Sequence, residues 1–172
     1  MVLTTLSDAT SMTDTSLDTP LVVRRYFSSG VNAMRAAGAD VIDIGCLPDT
    51  PFPHLAEAVG AVRALGCDVS VDSGNPEELR RGAKAGARFL LSLTEANLDI
   101  ADETGAAAVL VPARHGELDS LLRAAEVADR RGISAILDPV LDPIHFGFTG
   151  SLGRYAELRR RLPAAEVLMT RM

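Results

Sequence analysis

The chain has 172 residues, 47% of them hydrophobic, and a formal net charge of −6. That length supports one domain with a sizeable core, while the acidic balance excludes general nucleic-acid binding, which needs a basic face. No apolar run approaches the roughly 18 residues of a membrane span, and the two cysteines, Cys46 and Cys67, are too few for a disulfide framework and fit a reducing, cytoplasmic setting.

Residues 1–20 are rich in Ser, Thr and Asp, with no basic region and no apolar run. They are expected to be a disordered tail, not a signal peptide. Residues 21–172 form the folded domain. A helix is expected over 21–37, where Val23, Phe27, Val31 and Met34 recur at three- and four-residue steps before Gly38. VIDI at 41–44 reads as a strand stopped by Gly45, and a proline-rich loop follows. A helix over 55–65 closes at Gly66, and the next strand, 67–71, ends at Asp72-Ser73-Gly74. Asn75 caps a helix with Pro76 at its first position and Glu77 and Glu78 in its first turn.

A strand over 88–93, a short helix over 94–103 and a strand over 107–111, broken by Pro112, come next. The helix at 117–131 puts Leu118, Leu121, Leu122, Ala125 and Ala128 on one face. Strand 133–137 ends at Asp138, since Pro139 cannot continue ladder pairing. A turn-rich loop then carries Asp142, His145 and two glycines, and Thr149 or Ser151 is placed to cap a helix over 152–162. A last strand starts at 166–169. Alternating strands and helices at these lengths predict a parallel sheet with right-handed crossovers. A closed (β/α)₈ barrel takes about 250 residues. The expectation is therefore an incomplete TIM-barrel-type fold with about six of the eight strands, its open edges favouring self-association or a homo-oligomer.

Asp43, Asp72 and Asp138 are all expected at C-terminal strand ends, where parallel α/β folds bind ligands. Each could simply cap the following turn. Three such acids in the same position of their units favour a site for a cation or for a ligand rich in N–H donors. His54, His115 and His145 lack the paired spacing of a zinc site, so no metal centre is expected. Of the three, His145 is the best ligand candidate, close in sequence to Asp142. Cys46 reads as a small core cysteine. The segment 147–151 opens a helix and could bind an anion through backbone N–H groups.

GADVIDIG at 38–45, VSVDSGNPEEL at 69–79 and ILDP at 136–139 with the later FGF resemble the dihydropteroate synthase family. LDPVLDPIHFGFTGSLGRY at 137–155 is similar to the dihydropteroate synthase-related proteins of folate-type and methanopterin-type C1 metabolism. The resemblance runs from about Val22 to Met169. It implies that Asp72 and Asp138 hold a pterin, that Ser92 stands where the family has a pterin-binding Asn, and that Asp43 lies on the pyrophosphate side. A pterin ligand is implied, Mg is allowed, and the activity would be that of a transferase. The family's Arg-Pro-Gly loop after DIG reads CLPDTPFP here. Its first strand, its later Lys strand and its final Arg-x-His have no match. Pterin binding with little synthase activity, from a truncated form of the barrel, is therefore the expectation. A pterin-dependent methyltransferase module, a non-catalytic assembly remnant and a metal-dependent hydrolase are the competing readings.

Overall fold

The structure is a computed structural model and describes residues 3–6 and 30–169. Among the described residues there are six strands: β1 (Leu3–Leu6), β2 (Val41–Gly45), β3 (Asp68–Asp72), β4 (Phe89–Leu93), β5 (Ala107–Leu110) and β6 (Ala135–Leu137). The helices are α1 over 30–36, α2 (Leu55–Ala64), α3 (Pro76–Lys84), α4 (Asp99–Thr104), α5 (Leu118–Arg131) and α6 (Phe148–Arg161). Strand order in the sheet follows chain order, as parallel β–α–β units require. The chain divides into two compact units, Met1–Leu90 and Leu91–Met172.

In the first unit, β1 pairs parallel to β2, and β2 to β3. The strand at Leu3–Leu6 corrects the expectation of a disordered tail at that point and supplies a first strand. Its sequence, LTTL, carries two β-branched threonines, which suit a pleated strand. Next to the Ser/Thr/Asp-rich residues that follow, it has the appearance of part of a polar tail. The remainder of that expected tail, and the first half of the helix expected over 21–37, lie outside the described residues. Val41 to Asp43 and Ile44 are all buried, the pattern of a parallel strand covered on both faces.

α3 begins as its sequence dictates. The Asn75 side chain accepts a hydrogen bond from Glu77 N, with Pro76 at the first position. It lies close against β3: a Cβ added at Gly82 would sit 2.8 Å from Val71 Cγ2. Gly82→Ala should therefore destabilise the protein by about 1 kcal/mol. Overpacking costs roughly 1–3 kcal/mol, offset in part by the roughly 1 kcal/mol that Ala gains over Gly in a helix. A lowered urea midpoint at unchanged slope would confirm it.

In the second unit, β5 and β6 are parallel, and Val111 N donates to Leu93 O of β4 at 2.8 Å. Leu137 bridges to Val167 alone, where a further strand start was expected. The short helix expected over 94–103 is split into a 3₁₀ turn, Glu95–Asn97, and α4. α5 buries Ser120, Leu121, Ala124 and Ala128, so its inner face is turned slightly from the expected one. Ser120 tolerates burial because its hydroxyl donates to Glu117 O at 2.8 Å and accepts from Ala113 N at 3.0 Å. α6 starts four residues earlier than expected. Its N-cap is Gly147 at φ +114, and neither Thr149 nor Ser151 caps it. Among the described residues, no helix is long and apolar enough to cross a membrane.

Candidate functional site

Each unit brings its own acids to the strand ends. In the first, register pairs Asp43 with Ser70 and Gly45 with Asp72. Contrary to expectation, Asp43 does not end its strand; it lies two residues deeper, on the same face as Gly45. It is 2% exposed, and Ser70 Oγ donates to Asp43 Oδ1 at 2.7 Å. Asp72 ends β3 and is half-buried, and its backbone carbonyl accepts from Cys46 N at 2.8 Å.

Beside Asp72 stands a carboxylate that helical pattern alone leaves on a helix surface. Glu78 is 2% exposed. Its Oε1 accepts from Phe52 N at 2.8 Å and its Oε2 from the Ser73 hydroxyl at 2.6 Å. Arg81 Nη2 stands 3.8 Å from it. Two oxygens therefore tie the loop after β2 to the turn after β3. Burial pushes the Glu78 carboxyl up. The hydrogen bonds from Ser73, Phe52 N and Cys46, with nearby Arg81, outweigh it and leave the group below its usual value. Glu77, its neighbour in sequence, is exposed and pairs with Arg80 at 3.1 Å. At helical spacing adjacent residues face different ways, so Glu78 turns inward while Glu77 stays at the surface.

Cys46 is half-buried, so the core-cysteine reading holds in part. Burial, then the Glu78 carboxylate, pushes its thiol up to about 12. The thiolate is the nucleophile, so Cys46 should alkylate far more slowly in the folded protein at pH 8 than in the urea-unfolded chain. Mass spectrometry after brief iodoacetamide treatment reads this. Equal labelling of Cys46 in both states would contradict the buried thiol–carboxylate contact.

In the second unit, Ser92 sits inside β4, half-buried, at φ +62. A non-glycine residue in the left-handed region is uncommon and marks local strain. Asp138 follows β6 and is 7% exposed. Its Oδ1 accepts from Val140 N at 2.8 Å and lies 3.2 Å from the Tyr155 hydroxyl, whose one proton is shared with Leu168 O at 3.1 Å. Burial, then the Asp138 carboxylate, holds the Tyr155 phenol well above its ordinary range. Neither Tyr155 nor its neighbour Arg154 stands out in the sequence. Only the helical phase of α6, which turns them toward the loop after β6, gives them these roles.

Asp142 is the other buried acid of that loop, at 7% exposure. Arg154 Nη2 donates to Asp142 Oδ2 at 2.8 Å, and His115 Nε2 lies 2.7 Å from Asp142 Oδ1. Ser151 Oγ accepts from Asp142 N at 3.2 Å and donates to Phe148 O at 2.7 Å. The histidine on this acid is His115, from the preceding βα loop, while His145 is exposed. His54 is also exposed and stands 4.0 Å from Glu57. The Asp142 carboxylate lies against the start of α6, where the sequence could place an anion. A Cβ on Gly147 would lie 3.0 Å from Asp142 Oδ2, so both φ and space demand glycine there. Among the described residues, no group of three His, Cys, Asp or Glu side chains could hold a metal ion.

A parallel sheet in chain order, with helices between the strands and acids at the strand ends, defines an α/β protein of the TIM-barrel type. The chain is dihydropteroate synthase-like. It is similar to the dihydropteroate synthase of Thermus thermophilus at 29% identity and a TM-score of 0.59, over 81% of this chain and 64% of that one. The same enzyme in complex with 6HMPPP aligns at 26% identity and a TM-score of 0.59, over 97% and 69% of the two chains. The 7,8-dihydropteroate synthase of Vibrio fischeri, 16% identical, shares the fold at a TM-score of 0.69 over 97% of this chain and 71% of that one. The chain thus spans just under two thirds of the length of the first of these. No protein-family model matches the sequence, and no curated protein matches it.

Proposed function

We propose that this chain binds a reduced pterin through its strand-end carboxylates and serves folate or tetrahydromethanopterin-type C1 cofactor biosynthesis. The observation that carries the reading is Asp138: a buried carboxylate just past β6, its Oδ1 bonded by Val140 N and beside the Tyr155 hydroxyl, on a dihydropteroate synthase-like fold. The Val140 N–H and the neighbouring Tyr155 hydroxyl orient the carboxylate. A pterin presents an amino group and a ring N–H side by side, and an oriented carboxylate accepts such a pair in one geometry. Asp72 is proposed as a second pterin acceptor and Ser92 as a further contact. Asp43, buried against Ser70, is proposed to shape the β2 end on the pyrophosphate side.

Binding is proposed without efficient turnover. The loop after β2, residues 46–53, carries no Lys or Arg, and a departing diphosphate needs a cation or donor there. Asp138→Asn should weaken binding of 6-hydroxymethyl-7,8-dihydropterin by about 1.5–3 kcal/mol, the scale of a hydrogen bond to a charged group. Titration calorimetry of both proteins checks it, and equal affinities would remove Asp138 from the site.

A further inference from the structure

Val140 is the least comfortable residue of the second unit. It is β-branched, yet its φ is +64, a conformation that L residues, and β-branched ones above all, avoid. It lies two residues after Asp138 and donates its N–H to that carboxylate. What holds it is Arg154. The guanidinium Nε donates to Pro139 O at 3.1 Å, and Nη2 to Val140 O at 2.7 Å and to Asp142 Oδ2 at 2.8 Å. Only 15% of the Arg154 side chain is exposed. A planar fork can meet several acceptors at once, which a lysine ammonium on its flexible stem does not reproduce. The next residue along α6, Tyr155, reaches Asp138 itself.

We propose that Arg154 is the positioning residue of Asp138: by capturing the Pro139 and Val140 carbonyls it keeps Val140 left-handed, and so keeps the Val140 N–H and the Tyr155 hydroxyl aimed at one carboxylate oxygen. Three of its five N–H donors are engaged by Asp142 and by backbone. This deepens the pterin reading and rests on it for the ligand, though not for the geometry.

The discriminating variant is Val140→Gly. Glycine adopts positive φ without strain, so it should stand in for the restraint that Arg154 supplies. In calorimetric titrations with 6-hydroxymethyl-7,8-dihydropterin, Arg154→Met should bind at least about tenfold more weakly. Val140→Gly alone should bind like the parent, and the double variant should recover most of the loss. Wild-type affinity in Arg154→Met, or a loss that Val140→Gly does not repair, overturns the proposal. A second readout needs no ligand. In a Tyr26→Phe background Tyr155 is the one tyrosine left. Alkaline ultraviolet titration should show its phenol ionising at lower pH in Arg154→Lys than in the parent, as the Asp138 contact is released while the positive charge that favours the phenolate is kept. An unchanged Tyr155 titration overturns the proposal. If the parent binds no pterin, the pterin reading fails and the Tyr155 titration alone decides the role of Arg154. If Arg154→Met does not fold, Arg154→Lys carries the same expectations, because it keeps a charge beside Asp142 without spanning all three acceptors.

Discussion

Asp142→Ala is expected to lower the unfolding free energy by about 3 kcal/mol, the scale of breaking a buried ion pair. The substitution removes the acceptor of Arg154 and of His115 together. Arg154 is mostly buried, so its charge would keep only carbonyl partners. His115 is largely exposed, and losing its contact adds little. Asp142→Asn should cost less, since an amide oxygen still accepts from Arg154. Urea denaturation of the three proteins orders them as parent, Asn, Ala. An Ala variant as stable as the parent would show that Arg154 rests on the loop carbonyls alone.

Glu78 should carry much of the acid sensitivity of the first unit. Its folded-state value lies below the ordinary carboxylate value of 4.5. The ionised form is thus the one the fold favours. Stability from it is fully present above about pH 4.5 and is lost as pH falls through the lowered folded value. Glu78→Leu leaves Phe52 N and the Ser73 hydroxyl without their acceptor, at a cost of about 2–3 kcal/mol at neutral pH. Glu78→Gln keeps one acceptor but removes the titration. Its stability should change less than that of the parent between pH 5 and pH 3 (about a unit either side of the ordinary value). Parallel stability–pH curves for parent and Gln variant would contradict this account of Glu78.

What the sequence made legible follows from which forces are local. The strands at Val41, Asp68, Ala107 and Ala135 were readable because apolar runs end at Gly, Pro or Asp, and the strand at Phe89 because its apolar run stops at the polar Thr94-Glu95. α3 was readable because Asn75 and Pro76 mark its start. The start of α6 was not: Thr149 and Ser151 have capping chemistry, but the loop needs Ser151 Oγ for Asp142 N, so the helix begins at Phe148 instead. β1 was hidden because four strand-forming residues sit beside a long polar stretch, and only pairing with β2 stabilises them. Asp138 and Asp72 could be placed at strand ends from the pattern alone. The partners of the buried acids could not be. Phe52 and Glu78, and His115 and Asp142, meet only when neighbouring βα loops are brought side by side, and Asp138 meets Tyr155 only through the phase of α6.

The central claim is pterin binding, and equilibrium titration of the wild-type chain with 6-hydroxymethyl-7,8-dihydropterin tests it most directly, with adenine as a control of similar size. The account predicts saturable binding of one pterin per chain, weakened separately by Asp138→Asn and by Asp72→Asn, and no saturable binding of adenine. Absence of saturation with the pterin, or equal binding of adenine and pterin, would contradict it.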